Sequence, residues 1–132
     1  MRTILAIDPG REKCGLAVVT PSEVLHKQVV PRDDLVQVAA SLVRMHDACE
    51  VIVGNGTGSG KLIDELRGAI ALPIQAVEEA YSSQRARSRF LDDNPPTGIR
   101  RLIPRGLLTP DRPCDDYVAV ILAEDYLSQR TE

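Results

Sequence analysis

The chain reads as an α/β fold, a five-stranded mixed sheet flanked by helices on both faces, and three observations predict it. Three apolar runs separated by turn signals open the chain, which is the mark of an antiparallel meander. Apolar runs then alternate with stretches of helical periodicity, which is the mark of parallel βαβ crossovers. The first and fourth runs are continuously apolar rather than alternating, as strands buried on both faces are.

Each element has its own justification. Ile4 to Ile7 is the first strand and ends on a carboxylate, Asp8. Pro9-Gly10 turns the chain, proline by fixing φ and glycine by accepting the φ > 0 that tight turns often need. Gly15 to Val19 returns as the second strand of a hairpin, and Val24 to Val30, bounded by Pro21-Ser22 and Pro31, is the third. Asp33 or Asp34 can cap a helix whose apolar positions Leu35, Val38, Ala39, Leu42, Val43 and Met45 follow helical spacing. Val51 to Val53 is a short buried strand closed by Gly54. Thr57 or Ser59 opens a second helix, with Leu62, Ile63, Leu66 and Ile70 on one face. Residues 73 to 77 form the last strand, ending in Glu78-Glu79. Ser82 caps a helix to about Leu91, residues 92 to 113 are a Pro/Gly-broken segment, and Asp115 to Leu127 is the closing helix.

At 132 residues the chain is read as one domain, 1–132, whose core must be aliphatic, since it has three Tyr, one Phe and no Trp. The cysteines at 14, 49 and 114 have no metal-site spacing, and reduced thiols in a cytoplasmic protein account for them. No apolar stretch approaches membrane-spanning length and no signal-peptide pattern opens the chain, so a soluble protein without a membrane partner is expected. The net charge of −3 conceals an uneven distribution. Residues 85 to 112 carry seven arginines (Arg85, Arg87, Arg89, Arg100, Arg101, Arg105 and Arg112) against three aspartates. Such a strip is a candidate phosphate-contact surface, with a solvated helix face as the plain alternative.

In a sheet of this kind ligands collect at the carboxyl ends of the parallel strands, where Asp8 and Glu78 or Glu79 fall. The reading sets the first and last strands side by side, so that these acids meet within a few ångströms, and the closing helix adds Asp115 or Asp116. Clustered carboxylates repel unless a cation lies among them, and oxygen-only ligands suit Mg²⁺ or Mn²⁺. A pair of such ions can activate water for in-line phosphodiester displacement. Taken singly, the same acids are ordinary turn and helix-entry residues.

Other constellations are excluded or weak. The run from Gly54 to Lys61 resembles a phosphate loop, but Asn55 and Leu62 break the Walker A pattern, so nucleotide hydrolysis is rejected. Backbone N–H groups there, with Lys61, could still touch a polymer phosphate. His26 and His46 are expected far apart, His26 facing outward from an edge strand and His46 ending a helix. Ser82-Ser83 lacks a basic partner, so covalent catalysis has little support.

The sequence resembles the YqgF (RuvX) family of Holliday junction resolvase-like, pre-16S rRNA nucleases, within the RNase H-like superfamily that includes RuvC. The matching pieces are Ile7-Asp8-Pro9-Gly10 with Cys14-Gly15-Leu-Ala-Val, Val77-Glu78-Glu79-Ala-Tyr-Ser-Ser83 with Ala86-Arg87, and Asp115-Asp116-Tyr-Val-Ala119. The stretch from Pro95 to Pro110 looks like a variant found in some bacterial lineages. By this resemblance the metal-binding and catalytic acids are Asp8, Glu79 and Asp116, with Asp115 or Glu78 as a helper. The motif departs from the family where Glu78 replaces Asp and Ala80 replaces Arg, so one phosphate contact is missing unless Arg85, Arg87 or Arg89 replaces it. The resemblance implies a divalent-metal endonuclease acting on nucleic acid. Trimming of the 16S rRNA precursor stands slightly ahead of four-way DNA junction resolution, for which a homodimer would be needed. Two rivals remain. One is a catalytically silent RNA- or protein-binding module. The other is a kinase of the actin-like relatives, which 132 residues leave without a second lobe.

Overall fold

The computed structural model describes residues 2–55, 59–78, 89, 91–93 and 115–130, by backbone alone at 115 and 128–130. Five strands are present: β1 (Ile4–Asp8), β2 (Lys13–Val19), β3 (Val24–Pro31), β4 (Glu50–Gly54) and β5 (Ile74–Val77). The helices are α1 (Leu35–His46), α2 (Ser59–Ala69) and α3 (Asp115–Arg130). Residues 89 and 91–93 are also helical, so that helix continues past Leu91 to Asp93. Its expected start at Ser82, the segment after Asp93, Glu79 and six of the seven strip arginines lie outside the described residues.

The sheet order is β3-β2-β1-β4-β5. β1 pairs antiparallel with β2 and β2 with β3, whereas β1 with β4 and β4 with β5 are parallel. The mixed sheet is as the sequence predicts, but β1 and β5 are not side by side. The meander occupies one edge of β1, the crossover through α1 brings β4 to the other, and the crossover through α2 carries β5 one place further out. Two strand spacings of about 4.8 Å therefore separate the ends of β1 and β5.

Alternation along the strands builds two cores. Leu5, Ile7, Leu16, Val18, Val51 and Val53 face α1 and α2, meeting Leu35, Ala39, Leu42, Leu62 and Leu66. Ile4, Ala6, Ala17, Val19 and Ile52 face α3. Residues 117–123 of α3 are buried without a break, as expected of a helix that is apolar all round. Helices thus cover both faces.

Several local expectations are corrected. Arg32–Asp34 forms a 3₁₀ turn, and Asp34 holds the N-cap position of α1 without a side-chain capping bond. The helix end is fixed instead by Asp47 at φ 57°, a left-handed position that aspartate tolerates. Gly10 does not need positive φ. A Cβ there would stand 2.1 Å from the carbonyl oxygen of Lys13, so close backbone approach is what requires glycine. His26 and His46 are not far apart, since their ring centroids lie 6.0 Å from each other. His26 pairs with Val18 across the β2–β3 ladder and so shares the face covered by α1, whose last residue is His46.

Candidate active site

The carboxyl rim of the parallel strands is where the acids are expected to meet, and of them Asp8 and Asp116 have described side chains facing the α3 side of the sheet or lying on α3 itself. Asp8, half-buried, ends β1 directly after Ile7; alternation turns it to the α3 face, opposite Ile7. Its neighbour in β2 is Gly15, and because Ile7 pairs with Val53, its neighbour in β4 is Gly54. Asp8 is therefore flanked on both sides by residues with no side chain. Nothing in the one-dimensional pattern marks these glycines as a pair, because strand order decides that they meet at Asp8.

The loop after Asp8 is closed by Cys14. Its Sγ accepts from the Gly10 N–H at 3.4 Å, and its thiol lies 3.6 Å from the Gly10 carbonyl oxygen. The Arg32 N–H donates to the Glu12 carbonyl at 2.7 Å, tying the same loop to the end of β3. Asp8 thus stands beside a turn held at both ends.

Asp116 enters from the first turn of α3 and is 4% exposed. The Tyr117 N–H donates to its Oδ1 at 3.0 Å. Its Oδ2 lies 3.7 Å from Nζ of Lys27, which also stands 4.7 Å over the Tyr117 ring. Lys27 pairs with Ala17 across the β2–β3 ladder and so faces α3, a placement that sequence inspection of an edge strand did not anticipate.

The remaining predicted residues divide clearly. Glu78 follows Val77, the last residue of β5, and is exposed. Lys61 is exposed in the first turn of α2. Arg89 forms an ion pair with Glu124 on α3. Glu79, Arg85, Arg87, Arg100, Arg101, Arg105, Arg112 and the Asp115 side chain lie outside the described residues. Among the described residues no three His, Cys, Asp or Glu side chains gather as a metal site. The donors that are described, Asp8 and Asp116, are hard oxygen ligands, and one already has an ammonium beside it. That chemistry fits a divalent cation such as Mg²⁺ or Mn²⁺.

A groove of about 1000 Å³ lies at the opposite rim, lined by Arg2, Glu50, Arg67 and Gln75 among others. Buried Glu50 is ion-paired there with Arg2 and accepts from the Tyr126 hydroxyl. No described helix is long and apolar enough to cross a membrane.

No protein-family model and no curated protein matches the chain. Among solved structures it is similar to Thermus thermophilus RuvC, with 16% identity, a TM-score of 0.62, and 97% of this chain and 96% of that chain covered. It is also similar to T. thermophilus RuvC in complex with Holliday junction substrate, with 18% identity, a TM-score of 0.57, and 98% and 96% covered. The fold is RNase H-like. The likeness runs over nearly the full length of both proteins.

Proposed function

We propose that this chain is a divalent-metal-dependent endonuclease acting on structured nucleic acid. Two observations support the reading: Asp8 stands at the end of β1 on the α3 face, flanked by Gly15 and Gly54, and Asp116 is buried on the helix that covers that face. Glu79 is the third ligand in this proposal, on the strength of the family resemblance. Asp115 is assigned to the outer shell.

A bound Mg²⁺ or Mn²⁺ would supply an activated water and charge stabilisation for the leaving oxygen. The chain's own residues do the rest. Asp8 and Asp116 would hold the ion, Gly15 and Gly54 would leave room beside Asp8 for a phosphate, and Lys61 with the arginines of 85–112 would hold the backbone. The RuvC neighbour in complex with Holliday junction substrate supports a four-way DNA junction as substrate. The rRNA precursor rests on the sequence resemblance to the YqgF family, so the junction now ranks at least equal with it.

The test is cleavage of junction DNA, single strands and rRNA-precursor fragments with Mn²⁺ or Mg²⁺, with and without EDTA. Metal-dependent cutting of one substrate class supports the reading, and an inert protein across the panel overturns it. A silent nucleic-acid-binding module is the second reading, favoured by Ala80 standing where the family motif has arginine. Binding without cleavage in the same panel would select it.

A further inference from the structure

We infer that Lys27 is a positioning residue, a built-in counter-cation that holds Asp116 while no metal is bound and yields it to the divalent ion. The inference rests on the metal-dependent reading above and goes beyond it by naming what occupies the carboxylate first. Neither composition nor motif pointed to Lys27. It stands at the site because its register against Ala17 turns it to the α3 face.

The side chain of Asp116 is 5% exposed. A carboxylate that deep is costly to fold without compensating charge. One of its oxygens is fixed by the Tyr117 N–H, and the other has the ammonium 3.7 Å away. That separation gives attraction but exceeds a direct hydrogen bond. The ammonium rests instead over the Tyr117 ring, and the Lys27 side chain is one-third exposed. Lys27 is thus held loosely, on a flexible stem with solvent to retreat into. Arginine would grip the carboxylate with a planar fork, whereas lysine presents a single hydrated point charge that a divalent ion can displace. The arrangement lets the apo protein fold with Asp116 held in place, at the cost of weaker metal binding.

The test titrates purified protein with Mn²⁺ alone, following free Mn²⁺ by its paramagnetic resonance signal and thermal stability in parallel. Lys27→Met keeps the stem and removes the charge. It should bind Mn²⁺ more tightly, on the order of tenfold, as expected for removing one neighbouring unit charge. It should also melt lower without metal and gain more stability from Mn²⁺ than wild type does. Lys27→Arg should bind no more tightly than wild type. If Lys27→Met fails to fold, Lys27→Gln makes the same measurement. Equal Mn²⁺ affinity in wild type and Lys27→Met, with binding abolished in Asp116→Asn, would overturn this inference and leave the metal site standing. Tightening in Lys27→Arg would overturn it too, since charge would not be the cause. A wild-type protein whose Mn²⁺ binding is indifferent to Asp116→Asn would overturn both this inference and the reading beneath it.

Discussion

The hydroxyl of Tyr126 donates to Oε2 of Glu50 at 2.7 Å, joining the last helix to the first residue of β4. Gln75 on β5 donates to the same hydroxyl, and the Arg2 guanidinium lies 5.7 Å over the Tyr126 ring while pairing with Glu50. One phenol therefore connects β4, β5, α3 and the start of the chain at the rim opposite Asp8.

Tyr126→Phe keeps the ring and removes that junction. Glu50 is 6% exposed, so losing a bond to this charged acceptor should cost about 1.5–3 kcal/mol. Thermal unfolding should show a Tm lower by roughly 5–10 °C. An unchanged Tm would mean that Arg2 alone satisfies Glu50.

Asp8→Asn should abolish Mg²⁺- or Mn²⁺-dependent cleavage while leaving circular dichroism and Tm near wild type. The loss should exceed about 100-fold, the upper end for merely disturbing an outer-shell partner. Activity persisting in this variant would remove Asp8 from the metal site.

Gly10→Ala forces a Cβ into the Lys13 carbonyl oxygen, a backbone atom that cannot swing aside. The β1–β2 loop must open, and urea unfolding should show a loss of about 1–3 kcal/mol. Gly60→Ala is the matched control. Nothing lies within 4 Å of its added Cβ in the first turn of α2, so it should be neutral or stabilise by up to about 1 kcal/mol.

Reversing the charges of Arg100 and Arg101 should weaken nucleic-acid binding across all sequences. It should also flatten the salt dependence, by about one in log–log slope for each phosphate that is no longer neutralised. Fluorescence anisotropy at several salt concentrations measures both. An unaltered slope would make these arginines solvated surface only.

The strands were legible because each is an apolar run between turn residues, and their parity follows from alternation alone. Glu50 shows where that failed. A charged residue reads as the end of a strand, yet it is buried at the head of β4 because Arg2 and Tyr126 meet it. Strand order was not legible, since periodicity does not say which edge of β1 receives β4. The supposed adjacency of β1 and β5 failed for that reason. So did the separation of His26 from His46, which the β2–β3 register brings onto the face shared with α1. Asp8 and Asp116 were proposed from their placement at element ends and from family resemblance. Gly15, Gly54 and Lys27 were not, because their meaning depends on which residue stands across the ladder.

The face of the sheet bearing Ile4, Ala6, Ala17 and Ile52 has α3 as its cover, and that helix also carries Asp116. On a ribosome, everything through β5 can emerge while this face is still naked and the second acid is still unmade. Shielding of the oily surface and delivery of Asp116 then arrive in a single docking event. A chain that stops short of the last helix therefore lacks Asp116 and leaves an oily face open, and if the proposed function holds, degradation that trims this helix would disarm the protein and mark it for removal together.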